Sequence, residues 1–525
     1  MAKKNKPEKQ KNDKAKAGVT PVAVIDIGSN ELRLKIAQSG KGKLKYLESL
    51  TYPMSLGRDT FNTTKISFEK VDKTCDIIRG FLAVAAGYGI SGVRAVATSA
   101  VREAVNRDYI LEQIKVKTGL SVEVIDDSQE KLYVYKLMNY LLNDGLKQSA
   151  MMVYIGAGNI GLAVLDGGMT PFMQNIKVGS LRINEMFEDM QEYSNSFSQV
   201  LEEYIASFTD MLDEFIPAKI TNFIASGSEI SLIGELCGAH KSGIFLNITK
   251  SSFDALYNQV KDKTADRIAE DYNLPIDKAE VLLPAMCIFD NLLRFTHADK
   301  IIAPTVFLSD SLIVEMLYPN DFKRIDKKFN ENTLLSAAAH ARAFHTMAAH
   351  GQSVCGFAEK IFDKMKGIHG LGGREKLLLE TAALLHDIGK FINVKHHYLH
   401  SYHIIQGLDI VGLSILETEI VACVSLYHSR KTPAATDESY RALTGKNRVL
   451  VSKLSAILRL AEALDRSHEQ KLDEIDVRLT DRELTVTITS DKNTDLEQWA
   501  FMENSVFFEE VFGIRPVMKR KKSTP

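Results

Sequence analysis

An apolar run, Val22-Ala23-Val24-Ile25, leads into Asp26, Gly28, Ser29 and Asn30, after which Leu32, Leu34 and Ile36 alternate with charged residues. These residue types suit the handling of a phosphate. Gly28 lets the chain turn tightly and lets another group come close. Exposed N–H groups there, with the Ser29 hydroxyl and the Asn30 amide, can hold a phosphate oxygen. Asp26 can hold a Mg²⁺ ion through water or position an attacking water. An ordinary hairpin with Asx and Ser turn chemistry accounts for the same residues and stays open beside that reading.

A second set of chemistry-bearing residues lies in the C-terminal half, where His340, His345, His350, His386, His396, His397, His400, His403 and His428 concentrate. The stretch LLHDIGK, Leu384–Lys390, sets His386 beside Asp387 at the end of an apolar helix. Neighbouring nitrogen and oxygen donors suit Mn²⁺, Fe²⁺, Mg²⁺ or Zn²⁺. Further ligands must come from distant segments: His350 on one helix, and Glu462 or Asp465 on another. His396, His397, His400 and His428 can add a second ion or grip phosphate. A helical domain that keeps a vestigial His-Asp pair is the competing reading.

The elements that must position these groups follow from periodicity. Val22–Ala37 reads as a hairpin, Phe68–Tyr88 as a helix, Gly92–Ala97 as a strand, and Thr98 and Ser99 as a helix start with Arg102 in the first turns. Val122–Ile125 reads as a strand, and Asp126 to Glu130 open a helix running through Tyr135 and Tyr140. Acidic residues there are expected from the helix dipole alone. From about Ser149 the opening repeats: strand Met151–Ile155, turn Gly156-Ala157-Gly158-Asn159, strand Leu162–Leu165. Such an echo suggests a duplication, two like domains facing each other across a cleft. Later strands are expected at Asn222–Ala225 and Lys300–Ala303, and helices at Asn184–Asp189, Ser198–Glu214 and Ala279–Arg294.

At 525 residues the chain exceeds what one core can organise. The expected divisions are a disordered basic tail at 1–17, an α/β domain at 18–148, a second at 149–325, a helical domain at 326–473, and a small α+β segment with a basic end at 474–525. A formal net charge of −2 gives no bulk basic excess, so no specific nucleic-acid partner is expected. No run of about 18 apolar residues predicts a membrane span. Five scattered cysteines without CxxC spacing, and no visible secretory segment, point to a reduced, cytoplasmic protein.

Taken together, AVIDIGSN (23–30), LGRD (56–59), ATSAVREA (97–104), VIDDSQEKL (124–132), VGSLRINEMF (178–187), AALLHDIGK (382–390) and HHYLHSY (396–402) carry a resemblance over roughly residues 20–470. The chain resembles the exopolyphosphatase / guanosine-pentaphosphate phosphohydrolase family with a C-terminal HD domain. The resemblance implies an α/β front half of two actin-like, ribonuclease H-like ATPase-superfold domains, followed by an all-α HD domain. It implies hydrolysis of a terminal phosphoanhydride of polyphosphate or guanosine pentaphosphate by in-line attack of water, helped by Mg²⁺ or Mn²⁺. Glu130 maps onto the family's catalytic base and Arg102 onto its phosphate-holding arginine. Asp26, Gly28, Ser29 and Asn30 map onto the first phosphate loop, with Thr98 and Ser99 beside it. Gly156, Gly158 and Asn159 form the second loop, and Ser226-Gly227-Ser228 a thinned third. In the HD half His350, His386 and Asp387 match the metal ligands, and Glu462 aligns with the closing acid, Asp465 being its substitute. A homodimer is the family's usual state.

The second loop departs from the family pattern. Tyr154 stands where an acid is expected near the metal, Asn159 where a serine is expected, and Gly161 where a glutamate is expected, while Gln129 replaces the first acid of the catalytic pair. Three functions therefore compete: a phosphate-releasing hydrolase, a non-hydrolysing polyphosphate or alarmone sensor, and a metal-dependent nucleotide phosphohydrolase working through the HD half.

Overall fold

A computed structural model describes residues 20–40, 43–142, 144–187, 190, 197–209, 219–472 and 474–521. The basic stretch 1–17, residues 188 and 189 of one expected helix, and residues 210–214 of another lie outside them. The chain divides into two compact units, residues 1–124 with 309–319, and residues 125–308 with 320–525.

In the first unit, β1 (Val22–Ile27) and β2 (Glu31–Gly40) are antiparallel, with Ile27 opposite Leu32 across the turn. The apolar run of β1 has its reason in the sheet. β1 is the middle strand of the order β3-β2-β1-β4-β5, with β3 at Lys43–Pro53, β4 at Val93–Ala97 and β5 at Val122–Val124. A strand covered on both faces is apolar throughout rather than alternating. β1 pairs in parallel with β4, which brings Ile27 level with Ala97. Helices Phe68–Gly87 and Arg107–Thr118 supply Val71, Cys75, Ile78, Ile110 and Ile114 to the core that holds Ile25, Ile27, Leu32 and Leu34. β3 escapes the sequence reading, because its alternation is broken by a register shift at Ile36/Ala37 opposite it.

The same unit contains a buried charge pair. Lys35 Nζ donates to both carboxylate oxygens of Asp310 at 2.6 Å, and the Tyr46 hydroxyl donates to Oδ1 at 2.6 Å. Asp310 is 2% exposed. Burial lowers the Lys35 ammonium from its ordinary pKa, and the Asp310 carboxylate works against that.

The second unit opens with β6 (Ser149–Ile155), β7 (Ile160–Asp166) and β8 (Met169–Ile176). Its sheet continues through β9 (Asn222–Gly227), β10 (His240–Ser242), β11 (Phe245–Thr249) and β12 (Lys300–Pro304) in the order β10-β11-β12-β9-β6-β7-β8. The run β8-β7-β6-β9-β12 repeats β3-β2-β1-β4-β5 strand for strand. β6 is antiparallel to β7 and parallel to β9, as β1 is to β2 and β4. Even the turns agree: Gly28 N–H donates to Glu31 O at 3.1 Å, and Gly156 N–H to Asn159 O at 2.8 Å. The helix expected at Asn184–Asp189 instead begins at Ser180 and runs to Met186, because Gly179 starts it in extended backbone.

Beyond residue 320 the second unit is mainly helical. Helices Ala348–His369, Gly373–Leu385, His397–Gln406, Ile415–Leu426 and Gly445–Ala463 share a core around Val354, Leu379, Ala422 and Ile457. β13 (Glu474–Leu479), β14 (Glu483–Thr489), β15 (Arg515–Arg520) and helix Asp495–Phe512 add Val486, Phe501 and Phe508 to that same core. The terminal sheet is therefore a wall of the helical domain. Among the described residues, no helix is long and apolar enough to cross a membrane.

Lys35→Met removes the cation from a buried carboxylate and is expected to destabilise the first unit by about 3–5 kcal/mol. Urea denaturation checks this, and Lys35→Met with Asp310→Leu should recover a large part of the loss.

Candidate functional site

The first unit gathers its candidate residues at the carboxyl ends of the parallel pair β1 and β4, where open α/β sheets bind ligands. Asp26 is buried near the end of β1. The turn after it is tied to the start of helix Ser99–Glu103. Ser29 Oγ accepts from Ala100 N–H at 3.0 Å and lies 2.8 Å from Ser99 Oγ, while Thr98 N–H donates to Ile27 O at 3.2 Å. The carbonyl of Asn30 accepts from Met54 N–H at 2.9 Å and Ser55 N–H at 2.8 Å. Ser29 and Ser99 thus brace the loop with their hydroxyls. Arg102 sits one turn further on, partly exposed, its backbone N–H donating to Thr98 O at 3.0 Å. A Cβ at Gly28 would lie 2.8 Å from Glu31 O, so the turn itself requires glycine. Asp59 of the LGRD segment pairs with Lys70 at 2.6 Å and caps Ser67 N–H at 2.9 Å, a structural role.

In the second unit the helix Asp127–Leu141 presents Glu130 from its first turn. Asp126 accepts from Gln129 N–H at 2.8 Å, and Gln129 Oε1 accepts from Asp126 N–H at 3.2 Å, a capping box. Gln129 therefore serves the helix cap. Glu130 is 5% exposed, and the Tyr154 hydroxyl donates to its Oε1 at 3.0 Å. Asn159 Nδ2 donates to Asp127 Oδ1 at 2.5 Å. A Cβ at Gly161 already lies 2.5 Å from Tyr135 Oη and 2.6 Å from Lys131 Cδ. The buried Lys131 and Tyr135 therefore fill the space that a side chain at position 161 would need.

The loop Gly156–Asn159 is held from the other side by the VGSLR segment. Ser180 N–H donates to Gly156 O at 3.3 Å, Arg182 N–H to Ala157 O at 3.0 Å, and Arg182 Nε to Gly158 O at 2.9 Å. Gly227 has φ +135, and a Cβ there would sit 2.1 Å from Ile155 O. Just beyond it, Glu229 Oε1 accepts from Ser180 Oγ at 3.0 Å and Ser228 Oγ at 2.8 Å. Asp127, Ser180 and Glu229 were not singled out from the sequence; the buried acid directly after Ser-Gly-Ser was the available signal. Within the second unit Tyr154 offers Glu130 a neutral phenol.

The helical domain brings His350, His386, Asp387, His397 and His428 together. His386 ends the helix Gly373–Leu385, and His350 comes from the first turn of Ala348–His369. Their Nε2 atoms are 3.2 Å apart and lie 3.6 Å and 3.7 Å from Asp387 Oδ2. His397 Nε2 and His428 Nε2 are 3.1 Å apart and lie 3.3 Å and 3.8 Å from Asp387 Oδ1. Each imidazole uses Nδ1 elsewhere: His350 on Asp465 Oδ2 at 2.8 Å, His386 on Ala383 O at 2.8 Å, His397 on Val394 O at 3.1 Å, His428 on Ser425 O at 2.6 Å. Burial pushes the His386 imidazolium down to about 4, and holds His428 well below and His397 below their ordinary value. Lys390 Nζ donates to Asp387 Oδ2 at 2.5 Å.

Asp465 stands outside the donor clusters and holds the His350 ring through Nδ1, the place of a second-layer carboxylate. Glu462 lies with His350 and His468 within one donor cluster and also pairs with Arg466. His396 bonds the Tyr398 hydroxyl at 3.1 Å and is no part of these donor clusters. His468 is an addition, its ring stacked on His350 at 3.6 Å between centroids.

Gly161→Glu forces an acid into the space held by Lys131 and Tyr135, and is expected to cost about 1–3 kcal/mol in a denaturant titration. Adding Lys131→Ala should return part of that loss.

A sequence model described as the Ppx/GppA phosphatase family matches residues 35–319, and one described as Ppx/GppA phosphatase, domain III, matches residues 334–505. A guanosine-5'-triphosphate,3'-diphosphate pyrophosphatase from Vibrio parahaemolyticus is 22% identical over 480 residues, 90% of this chain and 93% of that protein. The protein of that name from Vibrio campbellii is 22% identical over 87% of this chain and 89% of its own length. The crystal structure of an exopolyphosphatase from Cytophaga hutchinsonii is similar with a TM-score of 0.50 and 19% identity, covering 57% of this chain and 97% of that one. With both sheet halves built on one plan and the family match spanning more than half of its length, the chain belongs to the Ppx/GppA phosphatase family.

Proposed function

We propose that this protein hydrolyses the terminal phosphoanhydride of inorganic polyphosphate or guanosine pentaphosphate, with Glu130 as the base that orients and deprotonates water and Arg102 as the guanidinium that holds phosphate oxygens. The observation that carries this reading is the paired glycine turn. Two topologically equivalent strand–turn–strand units, at Gly28 and Gly156, stand in a chain whose Glu130 is buried in the first turn of a helix. Gly28, Ser29, Asn30, Thr98 and Ser99 in one unit, and Gly156, Gly158, Asn159 and Gly227 in the other, are the proposed phosphate contacts. A Mg²⁺ or Mn²⁺ ion, held by Asp26, would supply charge neutralisation to the phosphate oxygens. In-line attack forms the new P–O bond as the anhydride P–O bond breaks, and the water proton passes to Glu130.

The Tyr154 hydroxyl on Glu130 favours a second reading, in which the front half binds the polyanion without turning it over. We also read the helical domain as HD-type, with a divalent cation on His350, His386 and Asp387 and Glu462 close by.

The decisive measurement is orthophosphate release from long-chain polyphosphate and from guanosine pentaphosphate, across a Mg²⁺ and Mn²⁺ series. Wild-type protein is expected to release phosphate, and Glu130→Gln to lose about 10²–10⁴-fold. Binding of polyphosphate without release by the wild type would leave the sensor reading in its place. Loss of release on His386→Ala, with Glu130→Gln unaffected, would move the chemistry to the helical domain.

A further inference from the structure

We infer that the second unit binds an aliphatic di- or triamine in a cavity walled by β8, the start of helix Asp127–Leu141 and the chain from Gln406 to Glu419. The cavity measures about 290 Å³. That is near the lower end of small-molecule sites, which begin at about 300 Å³. Its two carboxylates come from different elements, Asp409 from the loop before helix Ile415–Leu426 and Glu419 from that helix. Met173, Ile410 and Leu413 are buried and supply an apolar wall.

The loop is held in one path. Gly412 has φ +80, and a Cβ there would lie 2.7 Å from Thr333 Oγ1. Val411 N–H donates to Ser336 Oγ at 3.3 Å, and Arg374 Nη2 donates to Gly412 O at 2.7 Å. The cavity is therefore preformed, as ligand sites usually are.

The polar groups lining it are short of positive charge. Asp409 Oδ2 accepts from Asn175 N–H at 3.1 Å. Glu419 accepts from the Tyr402 hydroxyl at 2.8 Å and from Gln406 Nε2 at 2.8 Å. These donors are neutral, and neither carboxylate has an ion pair among the described residues. Arg374, which reaches the same loop, is spent on Glu417 at 2.6 Å. Asn175 uses Nδ2 on Ser128 Oγ at 3.1 Å, and its buried Oδ1 has no donor among the described residues. Partial loss of water holds the Asp409 carboxyl above its ordinary pKa, and Asn175 N–H and the through-space pull of Lys131 only partly offset that.

An occupant must bring N–H donors and positive charge for the carboxylates, and hydrocarbon for the apolar wall. An anion fails on charge. A bare divalent ion fails on ligands: hard cations take about six oxygens, and Asp409 and Glu419 belong to no cluster of metal donors among the described residues. An amine charged at both ends, with methylenes between, meets both demands. Ser128 lines the cavity two residues before Glu130, so the occupant touches the helix turn that presents the proposed base.

The test is calorimetric titration of the full chain with spermidine in the absence of any phosphate substrate, so that its outcome is independent of the proposed hydrolysis. Wild-type protein is expected to bind spermidine saturably. Asp409→Asn and Glu419→Gln should each weaken binding by about 10–100-fold, the worth of one charged hydrogen bond. Butylamine, with a single charge, should bind more weakly than spermidine by a similar factor. Both variants nearly keep the native shape, and an unchanged thermal midpoint checks that they fold. If either does not, the wild-type titration and the butylamine comparison still decide. Glu509→Gln with Glu510→Gln, exposed on helix Asp495–Phe512, should leave binding unchanged. Absence of wild-type binding, an equal loss in the Glu509 and Glu510 variant, or full displacement of spermidine by an equal concentration of Mg²⁺ would overturn the site.

Discussion

Around the end of β6 three stretches of backbone come so close that no side chain fits between them. A Cβ on Gly179 would lie 2.3 Å from Gly156 O and 2.4 Å from Asn159 N, and one on Gly227 would lie 2.1 Å from Ile155 O. This contact sets the path of the second turn. It also fixes where the helix at Ser180 begins, which in turn ties down the loop carbonyls through Ser180 and Arg182. Glycine is needed here for space, and at Gly227 for its positive φ as well.

The side chains around the same turn form one mutually packed set. Without a glutamate at 161, Lys131 and Tyr135 occupy the room above the glycine. Without an acid at 154, a phenol reaches Glu130. Without a serine at 159, an amide engages Asp127. Each replacement fills volume or satisfies a buried polar group, as dense interiors require.

The helical domain follows a different logic. Its rings spend Nδ1 on carbonyls and on Asp465 and turn Nε2 toward one carboxylate, to which Lys390 donates as well. In a hydrophobic core running from Val354 to Phe508, that carboxylate needs positive charge close by, and Lys390 supplies one such charge. A chain with a hydrolase-type front half thus carries a second, separately built polar centre.

Local pattern by itself determined the elements whose residues repeat with a clear period. The hairpin at Val22, the strand before Thr98, the helix opened by Asp126 and the echo at Met151 all form close to where periodicity placed them. The candidate residues stood at strand ends and helix starts, so the motif residues of each unit were legible too. Tertiary structure decided the rest. β3, β8 and β10 close hairpins on β2, β7 and β11, and β11 pairs further with the distant β12, while their own residues lack a strong period. Whether Gln129 is a cap or a catalytic remnant, and whether Asp465 ligates or orients, depends on atoms brought together from elsewhere in the chain. Spacing along a chain cannot reveal which nitrogen of a histidine is spent on a carbonyl. Only the fold shows that four rings from four segments turn the other nitrogen toward Asp387.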